Sequence, residues 1–218
     1  MVRYPETNYK YNEGNENHGH IIDFKDFEWK QSTEYDIMRF GKTLDDLERG
    51  IPGPEMPYLM TALNSITYPK DREMTIVETG MFYGTSTRTW IAWTLKNGGK
   101  VYTAEVVIME DFKKKMEDAG YWQYVNIIGN SMECEWDKPI DFLFIDSNHY
   151  FVYAWGEYEK FSKYLVPGAI VGWHDTMTNT DGVRPAIERA KEEDTLEFIC
   201  SQEVHCGIEF YRFIKKGK

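Results

Sequence analysis

From Met74 onward, short apolar runs alternate with longer segments whose apolar positions recur at three- and four-residue steps. Such runs bury as strands and such segments bury one face as helices, so the alternation predicts an α/β fold, a parallel sheet with crossover helices. Strands are predicted at residues 75–77, 101–104, 125–128, 140–145 and 169–173. Helices are predicted at 85–96, where Gly98-Gly99 stops the pattern, at 109–118 and at 183–193. Tyr150, Ala154, Tyr158, Phe161 and Leu165 mark one face of another helix, broken by Pro167-Gly168. The run 140–145 is almost continuously apolar, as a strand covered on both faces should be, and places the sheet's centre there. Past residue 193 the alternation stops. Residues 196–200 and 208–214 leave no room for a helix between them, so they must pair antiparallel. The whole reads as a doubly wound, seven-stranded sheet ending in an antiparallel C-terminal hairpin.

The first third of the chain has a different texture. Residues 1–20 are rich in Tyr, Asn, Glu and Gly without a period, which suits an arm that orders on a partner or substrate. Helical patterns at 35–49 and 57–66 flank the breaker run Gly50-Ile51-Pro52-Gly53-Pro54. The expected division is therefore 1–70, an N-terminal arm and helical lid or preface, and 71–218, the α/β domain. Tyr4, Tyr9, Tyr11, Trp29, Tyr35 and Tyr58 in the preface suit stacking on a ring or sugar face, and equally a homo-oligomer contact.

Charge narrows the partners. The 25 Lys and Arg against 36 Asp and Glu leave a formal −11 on 218 residues, which repels nucleic-acid phosphates and anionic membrane surfaces. No stretch approaches the roughly 18 apolar residues of a membrane span, and the polar first twenty residues hold no signal-peptide core, so a cytoplasmic protein is expected. Cys134, Cys200 and Cys206 lack the spacing of a zinc site or disulfide framework and are expected to be reduced thiols.

Four constellations carry chemistry. The first is the turn Glu78-Thr79-Gly80-Met81-Phe82-Tyr83-Gly84-Thr85-Ser86, where the first strand meets the first crossover helix. Its glycines permit close backbone approach, and the helix beyond offers unpaired amides, a ligand cradle unless it merely packs strand on helix. The dinucleotide fingerprint is absent, because Met81-Phe82-Tyr83 separates the glycines. The second is Glu105, an acid at the end of the second strand, placed for the ribose hydroxyls of an adenosine-containing ligand or simply solvated. The third, Asp146-Ser147-Asn148-His149-Tyr150, and the fourth, His174-Asp175, follow neighbouring strands at the carboxyl edge of the sheet, where open α/β folds hold ligands. Asp146, His149, His174 and Asp175 form a mixed oxygen and nitrogen set suited to a divalent cation plus a base, or to a metal-free hydrogen-bonded network.

With these constellations in this order, the segment from about Met74 to Ile214 resembles the class I S-adenosylmethionine-dependent methyltransferases. It most resembles the metal-dependent small-molecule O-methyltransferases of the catechol and macrolide-sugar type. The strings Val77-Glu78-Thr79-Gly80 through Ser86, Asp141 through Asp146 with His149 and Tyr150, and Pro167 through Asp175 look like that group's motifs. The resemblance implies a Rossmann-like fold whose hairpin supplies a reversed seventh strand. It implies S-adenosylmethionine held by Glu78, Gly80, Gly84, Ser86 and Asp146, with Glu105 on the ribose and Asn130 and Ser131 at the adenine edge. It also implies a divalent metal (Mg²⁺, Mn²⁺ or another) on Asp146, His174 and Asp175, and His149 as catalytic base where the catechol enzymes carry a lysine. Imidazole at position 174 suits Mn²⁺, Fe²⁺ or Zn²⁺ better than Mg²⁺. The implied activity is methyl transfer to a hydroxyl of a small sugar- or phenol-like acceptor. A nicotinamide-dependent oxidoreductase on a similar sheet, or a non-catalytic binder of the methyl donor, are the competing readings.

Overall fold

The computed structural model describes residues 55–217. Helix α1 (Met56–Asn64) precedes β1 (Thr75–Thr79), α2 (Thr85–Asn97), β2 (Lys100–Ala104), α3 (Glu110–Asp118), β3 (Val125–Ile127) and β4 (Ile140–Ile145). There follow α4 (Phe151–Phe161), β5 (Leu165–His174), α5 (Val183–Glu193), β6 (Asp194–Gln202) and β7 (Ile208–Lys216). The strands form one sheet in the order β3-β2-β1-β4-β5-β7-β6. The pairings from β3 to β5 are parallel, and β7 runs antiparallel to both β5 and β6. This is the seven-stranded Rossmann-like arrangement with a reversed strand.

Alternation along β1 and β4 divides the core between the two faces. Ile76, Phe142 and Phe144 pack with Trp90 and Phe210 on one face, while Val77, Leu143 and Ile145 pack with Tyr158 and Trp173 on the other. Helix α1, placed by the sequence in a preface, shares the first of these clusters through Leu59, Met60 and Leu63, each at most 2% exposed. Burial of such side chains contributes about 1.5–3 kcal/mol apiece, so α1 belongs to the sheet's own core. Arg72 ties the connection that follows to the start of β4, gripping Asp141 with two hydrogen bonds of 2.6 and 2.7 Å. Asp141 also accepts the Thr75 amide at 2.8 Å.

Pro167-Gly168 does not end a helix before the fifth strand but lies inside β5. Ile140 pairs with Leu165 and Phe142 with Ile170, so the extra residues are thrown out as a bulge, where Gly168 takes φ +91°. The hairpin strands run farther than the apolar runs at 196–200 and 208–214, because backbone pairing continues past the last buried side chain. The predicted helix at 35–49 lies outside the described residues.

Candidate active site

Between β1 and β4 the strand order reverses, and the carboxyl ends of the parallel strands there open a crevice. Gly80 adopts φ +84°, and a Cβ on it would lie 2.2 Å from the Asp146 carbonyl oxygen. Only glycine lets the two strand ends meet this closely. A cavity of about 720 Å³ lies over this junction, within the range that holds a cofactor-sized ligand.

Gly80, Ser86, Glu105, Asn130, Ser131 and Asp146 line this cavity. Glu78 and Gly84 do not. Glu78 shares the face of Ile76, so its carboxylate points under the turn toward α2 and is completely buried. It accepts from the Thr87 hydroxyl at 2.5 Å, the Trp90 indole at 2.8 Å and the Thr103 hydroxyl at 3.1 Å. Burial pushes it up to about 7 against the opposing pull of hydrogen bonds from Ser86, Thr87 and Trp90. Glu78 therefore braces the turn from beneath instead of facing a ligand. Gly84, at φ +69°, leaves room for the Phe112 ring, 2.0 Å from where a Cβ would stand, so its role is packing.

Glu105 closes the turn from the β2 side. One carboxylate oxygen accepts from the Met81 and Phe82 amides at 3.0 Å each, and the other from Val106 and Val107 at 2.7 and 3.0 Å. Since a carboxylate offers about four acceptor positions, binding a ribose diol here requires some of these amides to let go. The Met81 and Phe82 amides are likewise engaged, which leaves them unavailable to a pyrophosphate.

At the other end of the cavity the acids and histidines alternate. His174 Nδ1 lies 3.1 Å from Asp146 Oδ1 and 2.9 Å from Asp175 Oδ2. His174 Nε2 lies 2.7 Å from Glu55 Oε2. Burial opposes its charge, but Asp146, Asp175 and Glu55 outweigh burial and hold His174 well above the ordinary histidine range. His149 Nε2 stands 3.0 Å from Asp175 and 3.8 Å from Asp146. Those two carboxylates, Asp146 and Asp175, raise it to about 9. Asp175 feels the converse: burial works against its charge, yet hydrogen bonds from His149, His174 and Thr178 press it far below the usual carboxylate range. Its backbone sits at φ +57°, a left-handed conformation that Asp tolerates better than most residues.

This geometry changes the expected ligand set. Both ring nitrogens of His174 face carboxylates, so it has no lone pair to offer a cation. The donor atoms that do converge belong to Asp146, His149 and Asp175, which all lie within 4.8 Å of one another. The two carboxylates suit a divalent ion, so Asp146 and Asp175 fit a metal without His174, and His149 stands beside them as a base. Two contributors escaped the sequence reading. Glu55 precedes a proline-led helix, where an acid is ordinary, and no motif in the sequence singles it out. Glu157 carried a legible signal: it falls between Ala154 and Phe161 on the buried face of α4, where an acid is out of place.

Residues 77–176 match the family model described as a methyltransferase domain. The matched stretch spans the glycine turn, Glu105, Asp146, His149 and the His174-Asp175 pair. Among curated proteins, none matches the chain in sequence. Solved structures of the same fold include a methyltransferase from Podospora anserina, PaMTH1, bound to SAH, at 14% identity and TM-score 0.61, covering 84% of this chain and 88% of that one. An O-methyltransferase from Bacillus cereus in complex with SAH shares 17% identity at TM-score 0.60, covering 87% and 94%. The O-methyltransferase TomG from Streptomyces achromogenes, in complex with SAM, shares 18% at TM-score 0.56, covering 84% and 90%. Beyond the matched residues lie α5 and the hairpin β6–β7. Among the described residues no helix is long and apolar enough to cross a membrane.

Proposed function

We propose that the chain transfers the methyl group of S-adenosylmethionine to a hydroxyl oxygen of a small sugar- or phenol-like molecule, aided by a divalent metal, with His149 as base. One observation carries this reading: the glycine turn with Glu105 and the trio Asp146, His149 and Asp175 line a single cavity. Similar folds with SAH or SAM bound support the donor.

Methyl transfer needs an acceptor aligned behind the sulfonium and stripped of its proton. Gly80 allows the donor to approach the strand ends closely, and Glu105, once partly released from its amides, accepts the ribose hydroxyls. Bound between carboxylates, a divalent cation would supply charge that acidifies an acceptor hydroxyl. His149, held above neutral by Asp146 and Asp175, must shed its own proton before it can take one from the acceptor. His174 stays charged between Glu55 and the two aspartates and fixes their orientation.

Calorimetric titration with S-adenosylhomocysteine tests the donor half. Saturable binding that weakens at least about tenfold in Glu105→Ala is expected, since the variant loses hydrogen bonds to a charged group. Binding of reduced nicotinamide dinucleotide in place of the homocysteine nucleoside would replace this reading with the oxidoreductase.

A further inference from the structure

Glu157 lies wholly buried on α4 beneath the cavity wall, and three hydroxyls from the ends of three strands converge on it. Thr79, ending β1, donates to Oε2 at 2.8 Å. Ser131, after β3, donates to Oε1 at 2.5 Å, and Ser147, after β4, donates to the same Oε1. One turn farther along α4, Lys160 donates to the Ser131 carbonyl at 2.7 Å and to the Cys134 carbonyl, so a single helix face sets both ends of the Ser131 residue. Ser131 and Ser147 line the cavity.

A serine hydroxyl has one proton to give. Both serines give theirs to Glu157, so toward the cavity they present only lone pairs. This holds for the carboxylate, and for the acid with its proton on Oε2 toward Thr79, since Oε1 then stays a carbonyl-type acceptor. We infer that Glu157 is a specificity-determining positioning residue, fixing Ser131 and Ser147 as hydrogen-bond acceptors so that this wall selects a nucleobase edge that donates, the 6-amino group of adenine, over one that accepts. The inference deepens the donor reading and rests on it.

The polarity is unlike that of a general polar wall. A 6-oxo base such as hypoxanthine would set its carbonyl oxygen against two serine oxygens with no proton between them. In Glu157→Gln the side chain keeps its size, but its amide can donate to one serine, whose own proton is then free to turn into the cavity. That variant should accept the 6-oxo base more readily while holding the adenine base less well.

The test compares binding of S-adenosylhomocysteine and S-inosylhomocysteine to the full chain by calorimetry. Leaving buried acceptors unpaired corresponds to roughly a 5- to 100-fold preference for the adenosyl ligand in the wild type. Glu157→Gln should reduce that ratio at least about threefold through both ligands, and a merely structural role would weaken the two equally and leave the ratio intact. Should Glu157→Gln not fold, Ser131→Ala and Ser147→Ala provide the same reading: each removes an acceptor and should lower the ratio by weakening the adenosyl ligand alone. An unchanged ratio in the folded variants, or a wild type indifferent to the 6-substituent, overturns the inference. Failure of the wild type to bind either nucleoside instead overturns the donor reading itself.

Discussion

His174 Nε2 lies 2.7 Å from Glu55 Oε2, and the two side chains are 7% and 0% exposed. The second Glu55 oxygen accepts the Gly207 amide at 2.9 Å, so one acid at the head of α1 fastens both the end of β5 and the β6–β7 turn. The imidazole passes this restraint to the aspartates at the cavity. Through His174 the residues before the sheet reach the candidate active site.

Removing that acid strands a buried imidazolium nitrogen and a backbone amide together. Glu55→Ala should lower the unfolding free energy by about 3 kcal/mol. Urea denaturation of the full chain measures it, and a change below about 0.5 kcal/mol, as for an ordinary surface substitution, would show that the pair does not hold the fold.

Asp146 and Asp175, with His149 beside them, predict a cation site that needs no methyl donor. Mn²⁺ at a hundred times its dissociation constant should raise the unfolding free energy by about 2.7 kcal/mol. Asp146→Asn and Asp175→Asn should each shift the titration to higher metal concentration. A thermal-unfolding series with and without chelator reads this, and indifference to metal in the wild type would leave the trio as a hydrogen-bonded network.

His149→Ala should lower kcat by about 10²- to 10⁴-fold, with S-adenosylhomocysteine affinity little changed. The assay follows transfer of labelled methyl to a panel of phenols and sugars. Turnover that survives the substitution would move the base elsewhere.

Glu78 links stability to pH. Its folded value, pushed up to about 7 by burial, exceeds the unfolded carboxylate value. The folded state therefore binds the proton more tightly, and this contribution is complete below about pH 4.5 and is lost as pH rises to about 7. The loss amounts to about 3 kcal/mol. Glu78→Gln cannot titrate, so the difference between its unfolding free energies at pH 5 and pH 8 should be smaller than in the wild type by that order. Equal pH profiles would place Glu78 in contact with water or a cation.

The elements that were legible early are those whose pattern is local. The continuous apolar run of β4 and the stepped face of α5 match the structure because a strand buried on both sides and a helix buried on one have no other way to hide those residues. Pro167-Gly168 misled because a breaker pair looks alike whether it ends a helix or bulges a strand, and pairing with β4 decides between them. The same holds in the site. Asp146, Glu105 and Asp175 were found because a charged side chain after a buried strand must stand at the sheet's edge.

Chain order and side-chain chemistry alone determined that this is a parallel α/β sheet with a reversed hairpin, and that its carboxyl edge carries a glycine turn, an acid after β2 and two acid–histidine pairs. Tertiary structure decided how those groups share protons and partners. It withdrew Glu78 beneath the turn, spent both nitrogens of His174 on carboxylates, turned His149 toward Asp146 and Asp175, and recruited Glu55 and Glu157. A hydrogen bond of about 3 Å depends on where two distant segments come to rest, and no spacing along the chain encodes that before the sheet has brought them together.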